Sequence, residues 1–174
     1  IHKICKRYKI EDYIINDDMT IDIDNSVEIF RKGLHELPLN FNKVNGGFFC
    51  HGNYLTSLKG APKYVKGDFY CHNNKLDSLE HCPKRIDGGF FIFKNNIKTF
   101  EYFPQIKGYF ILTNNPIQEL WNLFENKDYI EYFNELDIIQ ENGKVVILDR
   151  LNYFLTDIGE NEKNEDNIYY YTVK

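Results

Sequence analysis

The stretch Asp68-Phe69-Tyr70-Cys71-His72-Asn73-Asn74-Lys75-Leu76 decides the fold, because three other stretches match it position by position. Gly-Phe-Phe-Cys-His-Gly-Asn-Tyr-Leu begins at Gly47, Gly-Phe-Phe-Ile-Phe-Lys-Asn-Asn-Ile at Gly89, and Tyr-Phe-Ile-Leu-Thr-Asn-Asn-Pro-Ile at Tyr109. The spacings are 21, 21 and 20 residues, and a fixed period of that length signals a stacked-repeat architecture. The concordance runs through whole units: Leu58, Leu79, Phe100 and Leu120, then Pro62, Pro83 and Pro104, then Val65, Ile86 and Ile106. One period before Phe48, a degenerate first unit keeps Val27, Ile29, Leu34, Leu37, Val44 and Gly46 but has Lys32 in place of the asparagine and Phe41 in place of the proline. Five units follow, and an atypical end unit is what a solenoid needs.

Alternation along a strand sends Phe69 and Cys71 to one side and Asp68, Tyr70 and His72 to the other. The first set is constant in character from unit to unit and forms the buried rung. Leu76 and Leu79 turn inward from the return path, and Pro83, Ile86 and Gly88 close the coil. Asn53, Asn74, Asn95 and Asn115 leave the strand at equivalent positions. An amide that both donates and accepts satisfies backbone groups inside a coil, so these asparagines read as structural. Each coil buries about six large apolar side chains at roughly 1.5–3 kcal/mol each, too little to offset its own chain entropy, so stacking is obligatory.

The pattern Phe-x-Cys-x-x-Asn-x-Leu-x-x-Leu resembles the leucine-rich repeat, and the short unit with its Pro-x-x-Val return is most similar to the compact bacterial class. The fuller consensus, with Leu-x-Ser-Leu-x-Gly-x-Pro and a Gly-Gly or Lys-Gly pair before Phe, resembles repeat proteins encoded by tailed bacteriophages. The resemblance covers residues 22 to about 126. It implies an α/β solenoid with a parallel β-sheet on one face. Compact bacterial repeat effectors sometimes carry a ubiquitin-ligase domain after the repeats. The roughly fifty residues beyond Asn126 are too few for one, and no cysteine follows Cys82.

Three regions result: an N-terminal capping hairpin over 1–25, the repeat array over 26–126, and a C-terminal helical cap over 127–174 with an acidic loop and a terminal strand. The hairpin is expected across residues 8–23 around Asn16-Asp17-Asp18. Ile117, Leu120, Trp121 and Phe124 fall at helical spacing, Tyr129, Ile130 and Phe133 begin a second short helix, and Val146, Leu148, Leu151, Phe154, Leu155 and Ile158 suit a third. Asp157, Glu160, Glu162, Glu165 and Asp166 against Lys163 read as a flexible loop. Ile168 to Val173 is strand-like and could add to a sheet edge in this or another molecule.

Composition bounds the function. Of 174 residues, 43% are hydrophobic and 16% aromatic, with a formal net charge of −5. That charge gives no general case for nucleic acid or an anionic membrane. No apolar run approaches the roughly 18 residues needed to span a bilayer, and no signal peptide opens the chain, so a cytoplasmic protein is expected, in the host cell if phage-encoded. Cys5, Cys50, Cys71 and Cys82 show no ligand spacing, so neither zinc nor a disulfide framework is expected. No phosphate loop, His-Glu-x-x-His or nucleophile elbow occurs. The expectation is a non-enzymatic module without a cofactor.

The outward strand positions carry the functional signal. One row reads Glu28, Phe49, Tyr70, Phe91, Ile111, the next Phe30, His51, His72, Phe93, Thr113. A sheet face turned to water is normally polar, and this one is aromatic. Either the C-terminal segment folds back over it or a partner docks there. The candidate binding residues are Phe30, Phe49, His51, Tyr70, His72, Phe91, Phe93 and Tyr109, with Tyr70, Phe91 and Phe93 at the centre. His51 and His72 could in principle hold a metal, but the neighbouring cysteines point away and the next rung is Phe93. Residues 47–108 carry nine basic against five acidic groups, mostly on loops, which keeps a base-stacking nucleic-acid or nucleotide binder as the alternative. A phage assembly component and self-association through the aromatic face or terminal strand complete the partner expectations.

Overall fold

The computed structural model describes residues 1–174. A helix α1 (His2–Tyr8) and a hairpin of β1 (Tyr13–Ile15) and β2 (Ile21–Ile23) precede the array. The coils then contribute short strands in turn: β3 (Val27–Glu28), β4 (Phe41–Val44), β5 (Phe48–Phe49), β6 (Tyr64–Val65), β7 (Phe69–Tyr70), β8 (Arg85–Ile86), β9 (Phe90–Phe91), β10 (Gln105–Ile106) and β11 (Phe110–Ile111). Beyond them lie α2 (Gln118–Trp121), α3 (Ile130–Glu135), β12 (Ile139–Gln140), β13 (Val145–Val146), α4 (Leu148–Asp157) and β14 (Thr172–Val173).

The array is a β-solenoid with two sheets, where the repeat reading expects a parallel sheet on one face only. The front sheet has the order β11-β9-β7-β5-β3, and the back sheet β1-β2-β4-β6-β8-β10. Within the array every pairing is parallel and in repeat register, such as Phe48 with Phe69 and Val44 with Val65. The reason lies in the unit length. A return path of about ten residues has no room for a helix, so Val44, Val65 and Ile86 drop straight onto the Phe rung while the backbone beside them pairs with the neighbouring coil. The five front strands bound four complete turns, and the fifth rung runs on into α2.

Three ladders hold the register. Asn74 donates to the carbonyls of Cys50 and Cys71 and accepts from the Leu55 amide. Asn53, Asn95 and Asn115 repeat that pattern one coil apart. The residue before each asparagine takes the left-handed conformation, Gly52, Asn73, Lys94 and Asn114, as does Arg31 before Lys32 in the first unit, with φ between 50° and 67°. Gly67, Gly88 and Gly108 stack where the back strand turns into the front one. A Cβ on Gly88 would lie 2.5 Å from the carbonyl carbon of Gly67, so this close approach of backbones admits no side chain. Inside, Phe48, Phe69 and Phe90 are fully buried and follow one another along the axis, Phe48 stacked on Phe69 and Phe90 tilted against it. Cys50 and Cys71 point inward beside them as free thiols, and burial pushes both above the usual thiol range.

The ends differ from the sequence expectation in detail. The hairpin forms, and β2 joins the back sheet parallel to β4. Residues 2–8, placed in the capping region with only Tyr8 read as strand, form α1, whose Cys5 is buried in the core together with Ile10. At the other end, Phe100, Phe124, Phe133 and Phe154 meet with ring centroids 5.2–5.7 Å apart and seal the last coil, with Trp121 packed against Phe110 at 4.8 Å. Val146 belongs to a strand, and the third helix starts at Leu148. Only Thr172–Val173 of the terminal segment is strand, and it pairs with β13 of the same chain. The acidic stretch holds a 3-10 turn, Glu165–Asn167, and Asn152 pins it through the amide and carbonyl of Lys163. No helix is long and apolar enough to cross a membrane.

If the asparagine ladder sets the register, Asn74→Ala destabilises the fold by about 1–3 kcal/mol, since buried backbone groups lose their partners. The exposed neighbour Lys75→Ala changes little. Urea denaturation of the two variants checks this, and coincident transitions contradict it.

Candidate functional site

Parallel pairing in strict register places equivalent side chains about 4.8 Å apart on neighbouring strands, which is close to the stacking distance of aromatic rings. The front face uses that coincidence twice. Phe30, His51, His72 and Phe93 form one continuous stack, with centroids 4.9, 4.5 and 4.1 Å apart and ring planes within 12° of parallel. Phe49, Tyr70 and Phe91 form the second, at 5.2 and 4.0 Å, and Tyr109 closes it edge-on at 5.4 Å from Phe91. Tyr70 lies 5.9 Å from His51 and 5.8 Å from His72, so the rows touch side by side. All eight residues expected from the sequence therefore belong to one patch.

They are not equivalent within it. Phe91 is only 6% exposed, whereas Tyr109 is 67% exposed and the other six are half-buried. Treating Phe91 as an open docking residue is thus incorrect. Its ring folds back across Gly89, where a Cβ would sit 2.9 Å from its Cε2, and Tyr70 and Tyr109 cover what remains. Phe49 lies over Gly47 in the same way. The second glycine of each Gly-Gly-Phe-Phe run exists to receive the following ring. Asp68 occupies that position before Tyr70, and its carboxylate accepts the Gly89 amide at 2.7 Å.

The C-terminal segment does not cover the patch. It reaches the last coils elsewhere, through the Tyr171 hydroxyl on the Lys98 carbonyl and the Glu119 carboxylate on the Tyr169 and Tyr170 amides. All aromatic contacts of the two rows are to one another.

Burial in the stack disfavours charge. The Nδ1 atoms of His51 and His72 are buried and have no hydrogen-bond partner. Desolvation lowers the His72 pKa to about 4, assisted by His51, Arg31 and Lys94, and lowers that of His51 in the same direction, assisted by Arg31. Near neutrality both rings are uncharged aromatic spacers between Phe30 and Phe93. No group of three or more His, Cys, Asp or Glu side chains is disposed to hold a metal ion. On the back sheet a separate polar cluster centres on Asp87, which accepts from Tyr64, Arg85 and Lys107. These partners hold its carboxyl well below the usual range.

Compared with protein-family models, curated proteins and solved structures, the chain matches none.

Two outcomes follow from this geometry. Phe91→Ala costs about 3 kcal/mol or more in thermal or urea unfolding, as for a buried ring, and a change under 1 kcal/mol contradicts its placement. For His72, the unfolded state binds a proton near pH 6.5 and the folded state only near 4. Its contribution is therefore fully present above pH 6.5 and is lost as the pH falls toward 4. Melting temperatures at pH 7 and 4.5 should drop more for the native protein than for His72→Phe; equal drops contradict the neutral stack.

Proposed function

We propose that the protein is a non-enzymatic interaction module of the leucine-rich-repeat type that docks another protein on its aromatic front face. The observation that carries this reading is the pair of ring stacks, which lie partly exposed and uncovered by any other part of the chain. Few monomers leave such a patch open without a use for it. A rigid, preordered aromatic surface loses little side-chain entropy on binding, and desolvated aromatics supply most of the energy in protein interfaces. The repeat consensus further supports a phage-encoded accessory protein acting in the host cytoplasm, where binding would modulate or inhibit a host protein such as a defence factor.

Five strands span only about 19 Å, so the face of these short strands alone falls short of the roughly 800 Å² that a stable partner covers. The loops beside the strands, carrying Arg31, Lys94 and Tyr54, must then complete the interface. A nucleic acid that stacks its bases here is the competing reading. Against it, the two histidines at the centre are held neutral, so the strand face itself offers phosphates no positive charge beyond the flanking Arg31 and Lys94.

Tyr70→Ala and Phe93→Ala should each weaken capture of a host protein at least tenfold, about 2 kcal/mol per ring, while unfolding shifts far less than in Phe91→Ala. Capture that persists in about 0.5 M salt supports protein docking. Phosphate-driven binding would fall steeply over that range, and such a fall, or capture unaffected by both variants, rejects the proposal.

A further inference from the structure

We infer that the open edge of β3 is a second binding site, which takes an extended acidic peptide as an added strand. In a parallel sheet, successive residues turn their N–H and C=O to opposite neighbours. On this strand the Val27, Ile29 and Arg31 amides donate to the Gly47, Phe49 and His51 carbonyls of the next coil. The N–H and C=O of Glu28 and Phe30 therefore face the other way, and no group of the chain pairs with them. The cause is an asymmetry of the N-terminal cap. The back sheet continues past the array for two strands, β2 and β1, whereas the front sheet stops at β3.

This edge is a groove and not a bare rim. Arg7, Tyr8 and Lys9 at the end of α1 form one wall, and Glu28, Phe30 and Lys32 lie on the other. A strand laid between them would pair its backbone with Glu28 and Phe30, the usual source of affinity in strand addition, while side-chain pockets set specificity. Two features of the walls define the occupant. Arg7, Lys9 and Lys32 are exposed and take part in no ion pair, against the single carboxylate of Glu28, in a chain whose net charge is −5. The groove therefore selects acidic side chains by charge complementarity. Phe30 is the free end of the first ring stack, 4.9 Å from His51 on one side and with no aromatic neighbour on the other. An aromatic residue opposite it on the added strand would extend the stack by one rung. The same cations disfavour a second copy pairing edge to edge, since like charges would then meet across the junction.

The site uses the backbone of β3 and the end of α1, whereas the docking face rests on Tyr70, His72 and Phe93, so either can fail alone. The test uses the whole chain with a labelled Glu-Asp-Val-Tyr-Val-Glu-Asp peptide and its counterpart in which lysine replaces each acid. The acidic peptide should bind and slow hydrogen exchange of the Glu28 and Phe30 amides roughly tenfold or more, leaving the Tyr70 and Phe93 amides unchanged. Binding should weaken about tenfold in Arg7→Glu/Lys9→Glu and again in Lys32→Glu, and the lysine peptide should not bind. Absence of binding, protection confined to other strands, or binding indifferent to the charge reversals would overturn the assignment. Protection of the same two amides that grows with protein concentration alone would overturn it differently, by giving the edge to a second copy.

Discussion

The constraint on which the rest depends is the bonding of one asparagine side chain per coil to the backbone of its own coil and of the coil before it. Asn53 donates to Ile29 and Cys50 and accepts from Lys32 and Leu34, so a single amide joins two turns of chain. A slip of one residue between coils would strand several buried polar groups at once, each at a cost of about 1–3 kcal/mol. The left-handed residue beside each asparagine and the stacked glycines at the opposite corner serve the same register. They let the backbone turn sharply enough, and approach closely enough, for the amide to reach.

Register then dictates the face. Once Phe48, Phe69 and Phe90 are superposed inside, the residues between them are superposed outside, whether or not they suit water. The chain has filled seven of the ten outward positions with rings, and ring stacking at strand spacing turns those seven into two ordered rows. Two histidines in the middle of a row accept the loss of hydrogen bonding at Nδ1 and a lowered pKa in exchange for parallel contact with Phe30 and Phe93. A solvated sheet needs neither. The face is a surface kept apolar and rigid, as the proposed docking role requires.

Much of this was legible in the sequence, for reasons that also mark where legibility ends. A period of 20–21 residues with Phe and Asn recurring in four of the five units specifies rungs, ladder and outward rows, because those depend only on equivalence between units. The back strands were not legible. Tyr64-Val65 and Arg85-Ile86 are two residues long, too short for any alternation to register, and their pairing exists only once the coils stack. The burial of Phe91 was hidden because alternation assigns a side, not a ring orientation. The clue was the glycine two residues earlier, whose missing Cβ gives the ring its place. Helix α1 escaped because Ile1, Ile4, Cys5 and Tyr8 form an apolar stripe only one turn or two long, where tertiary packing outweighs local propensity.

Coil register forces the outward side chains into desolvated stacks, and a proton NMR titration of the histidine rings is the decisive measurement. Strongly upfield-shifted ring protons are expected for His51 and His72, with His72 titrating at about pH 4 and His51 below its ordinary value. Ordinary chemical shifts with both midpoints near 6.5 would place the rings in free solvent and contradict the desolvated stacks.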